Sequence, residues 1–84
     1  MNSKRTDGPD VETTEWMLSV DDQLLDHFAS AGPGLCPEAA GRLGLHVSFA
    51  KKRCETLCEH GLLYESDTVY DITELGETYL ETRE

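Results

Sequence analysis

Eighty-four residues with 38% apolar side chains leave room for one small core and exclude a two-domain catalytic cleft, a large cofactor domain or a wholly disordered chain. Seventeen acids against seven cations, net −10, run against ordinary nucleic-acid binding, which draws its affinity from phosphate neutralisation. No apolar run approaches the ~18 residues of a membrane span, and Met1 to Pro9 carries no apolar segment of a secretion signal, so the chain is expected to be cytoplasmic.

Residues 1–14 are nearly devoid of apolar side chains and contain Gly8-Pro9; they read as a disordered tail ahead of a single domain, 15–84. Trp16, Met17 and Leu18 form an apolar knot, either a lid over the domain's own core or a dimer contact. A first helix is expected from Ser19, whose hydroxyl caps it, with Asp22 completing an approximate capping box. Val20, Leu24, Leu25 and Phe28 share one face, and Asp21, Asp22 and Asp26 lie toward water. Ala31-Gly32-Pro33-Gly34 stops it.

A short second helix begins near Pro37, passes through Ala39, Ala40 and Leu43, and ends at Gly44. Leu45 to Val47 form a tight link. Ser48 is expected to cap a third helix that reaches His60, with Gly61 as its left-handed stop. Val47, Ala50, Cys54, Leu57 and Cys58 fall on its inward stripe. Beyond Gly61 the period changes: Leu62 to Tyr64 and Val69 to Ile72 are strand-like around the polar turn 65–68, a short hairpin. Thr73 caps a last helix with Leu75, Tyr79 and Leu80 inward.

The spacing of Ala40, Gly44 and Ala50 is that of two short helices crossing steeply. A small residue stands at the crossing and a glycine between the helices takes the left-handed turn. This is helix-turn-helix spacing, and the following hairpin and helix make it a winged helix: mainly α, in the order helix, helix, helix, hairpin, helix.

Charge points to the same pair. From Ala39 to Cys54 there is no acid, where the chain's average would place about three, and Arg42, Lys51, Lys52 and Arg53 gather there. Ser48, Phe49 and Lys52 lie opposite the buried stripe on the N-terminal part of the third helix and are the candidate base-edge contacts: Lys to guanine acceptors, Phe against a thymine methyl, Ser to either. For Phe49 the alternative is edge packing on the second helix. Lys51 and Arg53, with Arg42 from the preceding helix, are the candidate phosphate contacts. The hairpin tip, with Glu65 and Asp67, is expected to stay off the phosphates; the alternative is that bound cations bridge it to them at high salt.

Cys36, Cys54 and Cys58 lack paired-ligand spacing and read as buried apolar residues in a reducing compartment, with no metal site. The acids form no pair with a base or nucleophile, and there is no phosphate-cradling glycine loop. No enzyme, cofactor or small-molecule ligand is inferred.

Four features together resemble the winged-helix transcriptional regulators of halophilic archaea related to the halophage phi-H repressor. They are Arg53-Cys54, His60-Gly61-Leu62-Leu63, Val69-Tyr70-Asp71-Ile72-Thr73 and Gly76-Glu77-Thr78-Tyr79-Leu80. The resemblance spans about Trp16 to Glu81. It implies sequence-specific binding of double-stranded DNA, repression and a homodimer in a salt-rich cytoplasm. The acidic wing tip, where relatives carry Gly and Asn, and the polar N-terminal tail depart from it. An acidic surface and only three lysines suit adaptation to molar salt. The alternative reading is a winged-helix protein–protein adaptor with no DNA contact, using the acidic surface for docking.

Overall fold

The computed structural model describes residues 16–82; the stretch 1–14, read above as a disordered tail, lies outside them. The described residues form α1 (Ser19–Ala31), β1 (Gly34–Leu35), α2 (Cys36–Leu43), α3 (Val47–Glu59), β2 (Leu63–Ser66), β3 (Val69–Ile72) and α4 (Glu74–Thr82). The strands make an antiparallel sheet in the order β1-β3-β2. The expected order of helices and hairpin is present, with one addition. β1 pairs Gly34 with Tyr70 and Leu35 with Val69, fastening the start of α2 to the hairpin. Two residues are too short for any alternation to register in a sequence.

Helix α1 buries Val20, Leu24, Leu25 and Phe28, the expected face. Its cap, however, is Leu18 and not Ser19. Asp21 closes the first turn, its Oδ2 accepting from the Leu18 N–H at 2.9 Å. Asp21 is fully buried, which corrects its expected place at or near the water side. The cause lies on another helix and is described below.

Helix α2 begins one residue ahead of Pro37 and ends where expected. Gly44 adopts φ 71°, a conformation that costs a side-chain-bearing residue about 1 kcal/mol or more. The turn lets the Leu45 N–H reach back to the Ala40 carbonyl at 2.8 Å, satisfying one of the carbonyls a helix end leaves open. The end of α3 repeats this closure, with Leu62 N–H on the Leu57 carbonyl at 2.9 Å. Both ends of the helix pair and its continuation into the hairpin are thus set by local backbone chemistry.

Helix α3 starts at Val47 with His46 as its cap residue, so Ser48 stands within the first turn and does not cap. Ala50, Cys54 and Leu57 are buried as expected, and Cys58 is partly so. Val47 is not buried with the rest of the expected inward stripe: it is 48% exposed. The hairpin turns through Asp67 and Thr68, with φ of 53° and 68°. Positive φ at both central residues is the primed turn that matches strand twist.

Thr73 caps α4, its Oγ1 accepting from the Gly76 N–H at 3.0 Å and donating to the Gly61 carbonyl at 2.6 Å. The inward position of this helix falls on Gly76 and not on Leu75, which is 56% exposed. A Cβ at position 76 would stand 2.3 Å from the Leu62 carbonyl oxygen, so α4 can approach the hairpin only because hydrogen occupies that place. Tyr79 and Leu80 pack partly buried against the core, and the Tyr79 hydroxyl bonds Asp22 Oδ1 at 2.6 Å. Phe28, Leu24, Leu25, Leu57 and Leu63 are the large side chains at the centre, each contributing about 1.5–3 kcal/mol by leaving water. No described helix is long and apolar enough to cross a membrane.

Candidate nucleic-acid interface

Helices α2 and α3 pack against each other, and Ala39, Ala40 and Ala50 on them have no exposed surface. Methyl groups at the crossing allow the two backbones to lie close, and the Gly44 turn sets their angle. What α3 leaves outward follows from that docking. Ser48, Phe49, Lys51 and Lys52 are exposed, and so is Arg42 at the end of α2. Phe49 is 41% exposed. Glu55 and Glu59 are also exposed on α3, so its cationic stretch is confined to the first two turns.

Arg53 departs from its expected role as a phosphate contact. Its guanidinium turns inward and grips Asp21 with two bonds, Nε to Oδ1 at 2.9 Å and Nη2 to Oδ2 at 2.7 Å. Nη2 also donates to the Trp16 carbonyl at 3.2 Å. The bond to Asp21 raises the guanidinium pKa, outweighing its partial burial. A fork-shaped donor set matches a carboxylate in this way and a lysine would not. A buried carboxylate without that partner would be costly, which explains why Asp21 sits fully buried at the start of α1. The ion pair joins residues 32 apart in the chain; position on α3 alone gave no sign of it.

Trp16 completes the same corner. Its ring stacks on His60 with centroids 3.8 Å apart and planes 12° from parallel, and it packs partly buried against the core. The lead-in segment is thus pinned to the middle of α3 at Arg53 and to its C-terminal end at His60. The three cysteines are free thiols. Burial pushes the thiols of Cys36, Cys54 and Cys58 above their ordinary pKa, and a hydrogen bond with Cys54 and then Lys51 partly counter this at Cys36. Protonated, enclosed sulfur suits packing and disfavours nucleophilic chemistry. Among the described residues no group of three His, Cys, Asp or Glu side chains is arranged to hold a metal ion. At the far end of the hairpin Glu65, Asp67 and Thr68 are exposed, so the tip is anionic.

A helix pair with a glycine turn, followed by a hairpin pinned to a short strand and by a closing helix, defines the winged-helix fold. A solved structure described as a MarR family protein from Bacillus stearothermophilus shares it, with a TM-score of 0.71 at 17% sequence identity. The likeness covers 86% of this chain and 54% of that one, so the present chain spans about half the length of that neighbour. No protein-family model and no curated protein matches the chain.

Proposed function

We propose that the protein is a sequence-specific DNA-binding transcriptional regulator, a repressor, that places α3 in the major groove. One observation carries this reading. Arg42, near the end of α2, and Lys51 and Lys52, on the first half of α3, are the exposed cations of an acid-free stretch that spans the helix pair. Ser48, Phe49 and Lys52 then face base edges, while Lys51 and Arg42 take phosphates. The resemblance to halophilic archaeal regulators and the fold shared with the MarR family structure support the assignment. In that setting the acidic remainder keeps the protein hydrated in molar salt.

Salt shapes the mechanism. Counterion release falls away as salt rises, so affinity must come from base contacts and from two linked copies bound together. We therefore take the working form to be a homodimer in a salt-rich cytoplasm, checked by light scattering at molar salt. The anionic hairpin tip stays off the duplex. That same tip favours the second reading, a protein adaptor that docks through its acidic surface.

Selection from a random duplex library in multimolar potassium chloride should enrich a palindromic motif. Reversing Arg42, Lys51 and Lys52 to glutamate should abolish that enrichment. Removing the charges singly should lower the log–log salt slope by about one for each phosphate left without its cation. An unchanged affinity in the triple variant would support the adaptor.

A further inference from the structure

Strand alternation gives the small sheet two faces. On one, Leu63, Tyr70 and Ile72 are buried, and a side chain at Gly34, opposite Tyr70, would meet Phe28; this face covers the core. The residues between them take the other face. Leu35 stands opposite Val69, Val69 opposite Ser66, and Tyr64 opposite Asp71, so the register joins them across all three strands. Leu35 is 46% and Tyr64 52% exposed, and Val69 is half-buried. The Tyr64 hydroxyl reaches across to Asp71 Oδ2 at 3.4 Å. The outer face is thus apolar and open. The strands and the hairpin turn carry Glu65, Asp67 and Asp71 and no lysine, arginine or histidine.

Size and charge select the occupant. Three strands ~4.8 Å apart span about 10 Å, close to the diameter of one helix, and a strand as long as β2 or β3 matches about two helical turns. A second copy would set the same acids against themselves, and duplex DNA would set phosphates against them. We infer that the outer sheet face docks one short amphipathic helix of a partner protein. Its apolar side chains cover Leu35, Val69 and Tyr64, and its lysines or arginines meet Asp71 and the acidic hairpin tip. The surface uses no cation of α2 or α3, so the inference stands apart from the DNA-binding reading and adds a second partner to it.

The test pans a display library of random peptides of about twelve residues, ~18 Å as a helix, against the full chain. It is run in about 1 M potassium chloride, where a Debye length of ~3 Å lets only charges in direct contact select. Recovered peptides should carry apolar residues at helical spacing along one side, flanked by lysine or arginine. Leu35→Ser and Tyr64→Thr should each weaken their binding about tenfold or more, the worth of one buried large side chain, and leave binding to the selected duplex unchanged. Serine suits the cap position of α2 that Leu35 holds, threonine suits a strand, and circular dichroism verifies both folds. The inference is overturned if no peptide is enriched, if acidic peptides are, or if the variants bind the recovered peptides as tightly as the parent. A period-two pattern would point to an added strand on the edge of β2 and overturn it as well. Self-association that either variant abolishes would give the face to a second copy, and loss of duplex binding in the variants would give it to DNA; both outcomes sink the inference. Recovery of the cationic helical pattern from a chain that selects no duplex would support this inference while overturning the DNA reading.

Discussion

Arg53 and Lys52 are adjacent in sequence and differ in what they do. Lys52 is exposed, while Arg53 holds the fully buried Asp21 in a two-bond clasp. Removing one partner of such a pair leaves a charge with no compensation, at a cost of about 3 kcal/mol or more. Arg53→Met should therefore lower the unfolding free energy by about that amount, whereas Lys51→Met and Lys52→Met should stay within about 0.5 kcal/mol of the parent. Denaturant melts of the three variants decide it: equal losses would mean that the clasp carries no stability. The double variant Asp21→Leu with Arg53→Met should recover much of the loss, because well-packed apolar pairs replace buried ion pairs without penalty. A helical wheel counts Arg53 with its neighbours because a wheel knows only its own helix. Asp21, Gly76 and Leu75 illustrate the same limit. Each takes its place from a surface on another element, and a periodicity assigns the face while the neighbour assigns the depth.

At the scale of elements, much of the molecule was legible. The helix pair, its glycine turn and the cap at Thr73 follow from signals contained within a few residues, and they stand as expected. Starts were less legible than stops. Leu18 and His46 cap through backbone and through Asp21, not through the serine hydroxyl expected in each case, and both helices begin where packing permits. β1 escaped because a two-residue strand exists only by virtue of its partner. The hairpin turn is a place where the local sequence works against its own geometry. Thr68 is β-branched and sits at φ 68°, where glycine is at ease. Thr68→Gly should raise stability by about 1 kcal/mol. If the tip stays off DNA, operator affinity should not move. A thermal melt and a binding isotherm on one variant thus test turn strain and wing position together, and a loss of stability would refute the turn assignment.

Across the whole molecule, the charge that sequence composition reports as a single number, −10, is unevenly distributed. Among the described residues, exposed acids lie on α1, on the start of α2, on the later turns of α3, at the hairpin tip and on α4, and the stretch from Ala39 to Cys54 carries only cations. Alkali gives a second whole-molecule handle. Burial raises the Tyr70 hydroxyl from 10.0 to about 12, and the buried thiols are raised in the same direction from 9.0. The native state then holds protons that the unfolded chain would release. Stability from these groups is complete below about pH 9 and is lost as pH climbs through the folded values. Denaturant midpoints should fall between about pH 9 and pH 12, and Tyr70→Phe should blunt the upper part of that decline. A flat profile would contradict the enclosure of the phenol.

The stack of Trp16 on His60 has a practical corollary. The chain contains one tryptophan, and that indole rests on the residue just past the C-terminal end of α3. Its fluorescence is therefore an intrinsic gauge of whether the chain's lead-in has peeled away from α3. An emission change that precedes the loss of helical ellipticity on gentle heating would separate that local release from global melting without any attached dye.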